Sequence, residues 1–220
     1  MLLLFAAILM IMFSLPLQGQ PRTLPAGIEK LPDGNYKMDS VTIRTASGEL
    51  AFPARFVLKE GALEVIIAKP EGRLHETLLV TETPAVKIQT ALYLLKARNG
   101  ARSKDKQEIK QGTLVDIDIE WTDDKGVSHR DPIEEWILDR RTKAPMKRIG
   151  WVFTGSGIHQ GKFLADAEGN IVINWSQGAT VLDSPDPESE DDTLHTVNSA
   201  KPQPSNSADV TVVFHPRVGR

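Results

Sequence analysis

The sequence predicts an α+β fold: a single, predominantly antiparallel β domain with one main amphipathic helix. Three observations carry that prediction. The stretch TLVDIDIEW, 113–121, alternates strictly, with Val115, Ile117, Ile119 and Trp121 on one side and Asp116, Asp118 and Glu120 on the other, which is the period of a half-buried strand. Short runs rich in β-branched and aromatic residues recur between turn signals along most of the chain. Only one stretch, 83–100, carries a sustained helical period.

At the N-terminus, LLLFAAILMIMF (2–13) is uninterrupted apolar sequence, broken by Ser14, Pro16 and Gly19 before QPRTLPAG turns polar. A helix over 2–13 is about 18 Å long, short of a hydrocarbon core of about 30 Å. This is the length of a signal-peptide core rather than of a membrane span. The expectation is a signal peptide over 1–19 with cleavage after Gly19, an N-terminal extension over 20–39, and a β-rich domain over 40–220. The protein is then exported, periplasmic or extracellular, and touches a membrane only if the N-terminal segment stays uncleaved.

Strands are expected at VTIRT, ARFVLK and LEVIIA. TPAVKIQTALYLLKARNG follows, with Thr83 as N-cap and Pro84 at the first helical position. Ala85, Ile88, Leu92 and Leu95 form its apolar stripe, Lys96 and Arg98 its last turn, and Gly100 its stop. After the alternating strand, TDDKG supplies turn chemistry, so VSHR returns as a hairpin partner. PIEEWILD reads either as strand or as one helical turn after Pro132. GWVFTG, KFLAD and IVINW continue as strands, EGN joining the last two. Residues 183–208, rich in Pro, Ser and acidic side chains, read as a flexible excursion before a final strand at DVTVVF.

The 220 residues suffice for one core, and 40% hydrophobic with 25% charged is an ordinary globular balance. A net charge of -3 offers no basic surplus for phosphate neutralisation, which argues against nucleic acid as a partner. There is no cysteine. Disulfides, thiolate metal sites, cysteine nucleophiles and cysteine-ligated iron–sulfur clusters are thereby excluded.

The succession LEVIIAKPEGRLHETLL, ALYLLKA, VDIDIEW, EEWILDRRT, WVFTGSG, FLADAEGNIVINW and VTVVFHP resembles the YdjY-domain family of bacterial exported proteins, over roughly residues 55 to 216. The resemblance implies export and no established activity. Ferredoxin-like names within that family imply an iron–sulfur cluster, which a chain without Cys does not ligate.

Candidate chemistry is sparse. His75 and Glu76 begin a zincin-like HExxH, but Leu79 stands where the second His ligand belongs, so a boundary role is expected. Ser156, in TGSG, pairs in sequence with His159 as a nucleophile and base; the GxSxG elbow fails, because Thr154 and Ile158 replace its glycines. Asp116, Asp118 and Glu120 resemble the start of a calcium loop, with Trp121 where its glycine belongs.

Asp183, Asp186, Glu188, Glu190, Asp191 and Asp192 are the best Ca²⁺ candidates, being hard oxygen ligands in one loop. No other cofactor is expected. Trp121, Trp136, Trp151 and Trp175 are read as core residues rather than a carbohydrate groove, and the histidines at 75, 129, 159, 195 and 215 show no paired metal spacing. The leading expectation is a non-enzymatic cell-envelope module that binds a ligand or protein. The competing one is an envelope hydrolase or metal-dependent enzyme using His75 and Glu76 or Ser156 and His159.

Overall fold

The computed structural model describes residues 27–100, 111–204 and 209–219. The expected signal peptide lies outside them. Eight strands matter most: β1 (Glu49–Phe56), β2 (Val65–Ala68), β3 (Thr77–Val80), β4 (Leu114–Thr122), β5 (Trp151–Phe153), β6 (Asn170–Ile173), β7 (Leu182–Asp183) and β8 (Val210–Pro216). They pair in the ring β1–β8–β4–β5–β7–β6–β2–β3, and β3 closes it by pairing with β1 through Arg55↔Val80 and Phe56↔Leu79. Neighbours are antiparallel except β6–β7 and β2–β3, which are parallel.

The α+β expectation is therefore corrected. The protein is mostly β, 38% strand against 12% helix, and its central object is a closed eight-stranded barrel. The physical reason lies in β1, a strand long enough to serve two neighbours on one side. Its first half pairs with the strand Val41–Arg44 and its second half with β3. Pro53 sits between the two pairings, where its missing N–H leaves no ladder bond unmade, and Thr81 Oγ1 donates to its carbonyl at 2.6 Å. Closure then satisfies the last edge, which an open sheet has to leave to solvent.

Inside the ring, register sets the core. Leu50 and Phe52 on β1 lie beside Phe214 and Val212 on β8, which lie beside Ile117 and Ile119 on β4. All six are essentially inaccessible, and Phe52 meets Phe214 edge to face with centroids 5.1 Å apart. The alternation in 113–121 thus points its apolar half inward as expected, and Ser128–Pro132 returns as its hairpin partner.

The residues assigned to an N-terminal extension are structured from Gly27 on. Glu29–Lys30, Tyr36–Met38 and Val41–Arg44 form an antiparallel meander that continues the sheet from β1. The acidic stretch after 183 is also structured as far as Pro204: Asp183 belongs to β7, and His195–Val197 pairs with Ile137–Asp139 in a small separate sheet. PIEEWILD realises both of its readings, a 3-10 turn over Ile133–Trp136 followed by the strand Ile137–Asp139.

Two helices differ from expectation. The first, α1, covers Ala85–Leu94 rather than 83–100. Pro84 occupies the N-cap position without a side-chain cap, and the Asp166 carboxylate accepts from the N–H groups of Ala85 (2.7 Å) and Val86 (3.1 Å) instead. At the other end, Lys96 N–H bonds Tyr93 O and Ala97 N–H bonds Leu92 O, the Schellman pattern, with Lys96 in the left-handed region at φ 65°. Gly100 is not the stop. A Cβ there would lie 1.3 Å from the Gln111 carbonyl oxygen, so close backbone approach demands glycine.

The second helix, α2 (Leu164–Glu168), falls where the sequence predicts a strand and an EGN hairpin turn. Only Lys162 and Phe163 of that stretch are extended, and Gly169, at φ 75°, is the helix C-cap.

Candidate functional site

The residues singled out for catalysis do not converge. His75 lies on the 3-10 turn Leu74–Glu76 with its side chain 76% exposed, and its Nε2 is 3.6 Å from Glu76 Oε2. Ser156 is committed to structure: its Oγ accepts from Ala165 N–H at 3.0 Å in the first turn of α2. Gln89 of α1 clamps its main chain, accepting from Ser156 N–H at 2.7 Å and donating to Ser156 O at 3.0 Å. His159 is exposed on a two-residue hairpin strand, Ile158–His159. No hydrogen bond joins it to Ser156 among the described residues, so the nucleophile–base arrangement is absent from this geometry.

The acidic run is likewise divided. Asp183 is fully buried and accepts from Ser176 Oγ at 2.7 Å. Asp186 and Glu188 both receive the guanidinium of Arg141, at 2.6 Å each, and Arg141 also pairs with Asp139 at 2.8 Å. Asp191 closes a turn by accepting from Thr193 N–H and Oγ1, while Asp192 is exposed. Among the described residues no group of three or more His, Asp or Glu is placed to hold a metal ion. The Ca²⁺ expectation for Asp183, Asp186, Glu188, Asp191 and Asp192 therefore has no preformed geometry behind it; an arginine holds two of the five.

The alternating carboxylates of β4 resolve in the same way. Arg44 and Glu120 form a two-pronged pair at 2.7 Å per contact, and Arg217 engages Asp116 through two contacts. Asp118 bonds Arg130 at 2.8 Å and Arg148 at 2.7 Å. Trp136 and Trp151 are core residues. Trp121 is half-buried, with His129 stacked on it at 5.1 Å and held by Asp123 at 2.9 Å; Trp175 lies under Arg73.

In three buried ionisable groups burial favours the neutral form. Glu134, in the Ile133–Trp136 turn, is 2% exposed, and neither carboxyl oxygen has a hydrogen-bond partner. Burial pushes its carboxyl up to about 7, against the pull of its own backbone amide and of Arg148 and with reinforcement from Asp116 and Asp118. Glu64 is raised by burial, partly offset by Arg73, while a hydrogen bond with Glu76 adds to the rise. His195 is buried with Nε2 unpartnered, and burial lowers its pKa. No spacing rule marks these positions.

The concave surface that stands out is an apolar groove. Along one register row, Leu50, Ile43 and Tyr36 lie side by side and grow progressively more exposed as the sheet leaves the barrel for the meander. The C-terminal end of α1 faces that row. Ile28, Tyr36, Ile43, Leu94, Leu95 and Lys96 line the cavity between them, about 430 Å³, within the size range of small-molecule sites.

Helix α1 is apolar beyond what its core stripe requires. Ala85, Ile88, Ala91 and Leu92 are buried, yet Tyr93 and Leu94 remain 45% and 47% exposed. The run YLLK carried this signal, since Leu94 falls off the 3–4 stripe that serves the core.

No family model matches the chain, and no curated protein or solved structure is significantly similar to it.

Proposed function

We propose that this protein is an exported bacterial binding module of the cell envelope, non-enzymatic, whose ligand site is the groove between the N-terminal meander and the end of α1. The observation that carries the reading is the groove itself, a concave apolar surface at the open end of the core. The apolar run 2–13 and the resemblance to the YdjY-domain family support the exported setting. The hydrolase alternative draws less support, because Ser156 is spent on α2 and α1 while His75 points to solvent.

The test uses the protein purified from the cell fraction in which it accumulates, titrated with the neutral fluorophore N-phenyl-1-naphthylamine. Saturable binding near one per chain is expected, and Leu94→Glu, at an exposed position, should abolish it without lowering the melting temperature. Absence of saturable binding, or binding unchanged by Leu94→Glu, would remove the groove as the ligand site.

A further inference from the structure

We infer that the groove takes a single long acyl chain with an anionic head, a free fatty acid, and that Lys96 holds the head. The inference rests on the groove being the ligand site and goes on to name the ligand class.

The lining divides by chemistry. Ile28, Ile43, Leu94 and Leu95, with the ring of Tyr36, offer hydrocarbon to a chain. A peptide would bring backbone N–H and C=O groups into this surface, and few partners await them, because Thr45 Oγ1 already donates to Gly34 O at 3.2 Å. Among the described residues, the Tyr36 hydroxyl and the Lys96 ammonium have no hydrogen-bond or ion-pair partner. Both residues line the groove, and a cation and a hydroxyl donor are the groups that hold a carboxylate by charge-assisted hydrogen bonds.

Position strengthens the case for Lys96. It occupies the left-handed position of the Schellman turn, φ 65°, where glycine is the residue of lowest strain. A lysine there accepts a conformational cost that the turn itself does not require. The turn fixes its backbone by Lys96 N–H to Tyr93 O at 2.9 Å and Ala97 N–H to Leu92 O at 3.0 Å, and anchors it on buried Leu92 and Ala97. Lys96 is thus carried into the lining of the groove by a hydrogen-bonded turn.

The experiment displaces bound N-phenyl-1-naphthylamine with tetradecanoate or with tetradecanol, on the natural protein and on Lys96→Gln, Lys96→Arg and Lys96→Gly. Tetradecanoate should displace the probe, Lys96→Gln should weaken its binding about tenfold, the loss of one charge-assisted hydrogen bond, and Lys96→Arg should restore it. Tetradecanol should bind the natural protein and Lys96→Gln equally. Lys96→Gly should melt no lower than the natural protein and still lose the acid preference, which separates ligand binding from folding.

Equal displacement by acid and alcohol, unaltered in Lys96→Gln, overturns the anionic head while leaving the groove as an apolar site. Probe binding that neither amphiphile disturbs overturns the acyl chain. Failure of the probe to bind overturns the groove reading itself. Co-sedimentation with neutral phosphatidylcholine vesicles, without displacement by tetradecanoate, points to the membrane as the source of the chain and overturns the free acid.

Discussion

Replacing Glu134 by Gln should make the protein more stable at alkaline pH and leave it unchanged at acid pH. The side chain is 98% buried, its oxygens lack partners, and its carboxyl is pushed up to about 7 from an ordinary 4.5. The folded state therefore holds a proton that the unfolded state releases. Stability from the neutral form is fully present below pH 4.5 and is lost as pH rises through about 7. A difference of about 2.5 pH units at 1.36 kcal/mol each is about 3 kcal/mol.

Asp116 and Asp118 favour the proton while the Glu134 backbone amide and Arg148 oppose it, so the sign rests on burial outweighing both. Glutamine keeps the shape and cannot ionise. Urea unfolding followed by circular dichroism at pH 4, 6 and 8 should show coincident midpoints at pH 4. At pH 8 the variant should lead by about 1–3 M, given slopes of about 1–3 kcal/mol/M. A difference between variant and natural protein that stays constant across this range would refute the reasoning, since only a titrating Glu134 makes it vary.

Asp139 should behave in the opposite sense. Arg141 holds its carboxyl down to about 2, so the stability it contributes is present above pH 3.8 and lost as pH falls through 2; Asp139→Asn should cost about 2 kcal/mol at pH 6 and nothing near pH 1.5 in thermal melts. Leu92→Asp should lose about 3 kcal/mol or more by burying an unpaired charge, whereas Lys87→Asp, on a half-buried position of the same helix, should melt close to the natural protein. Zinc should give no stoichiometric stabilisation that disappears in a His75→Ala, Glu76→Ala double variant, as isothermal titration would reveal. N-terminal sequencing of protein recovered outside the cytoplasm should begin near Gln20, and an intact Met1 on cytoplasmic protein would count against export.

Local periodicity made several elements legible. Leu114–Thr122 and its hairpin partner Ser128–Pro132 were readable because alternation and a DDKG turn are both encoded within a few residues. Val41–Arg44, Trp151–Phe153 and Val210–Pro216 were readable as short runs rich in β-branched and aromatic residues. KFLADAEGN misled, because Lys162 and Phe163 are extended while Asp166 is recruited to the first turn of α1 from 81 positions away. Gly169 carried the correct local signal, a left-handed helix cap, but EGN reads equally well as a hairpin turn. Of the site, the surplus apolar residue Leu94 was visible in YLLK, beside the stripe residue Leu95. Their facing partners Ile28, Tyr36 and Ile43 were not, since a groove is made by two segments that meet only after folding.

By itself the sequence determined several of the strands, which half of Leu114–Thr122 points inward, and that no cysteine chemistry is available, because these depend on neighbours in the chain and on residue type. Tertiary structure alone decided that the strands close. Closure rests on Phe56 meeting Leu79 and on Val212 inserting between Phe52 and Ile119, pairings whose separations carry no local signature. The same holds for the charges: Asp116, Asp118, Glu120, Asp186 and Glu188 look like ligand carboxylates in the sequence, and the arginines that the fold brings beside them make all five ion-pair partners instead. Burial, which turns Glu134 into a neutral acid, is likewise a property of the assembled barrel, because desolvation is set by everything packed around a group rather than by the residues on either side of it.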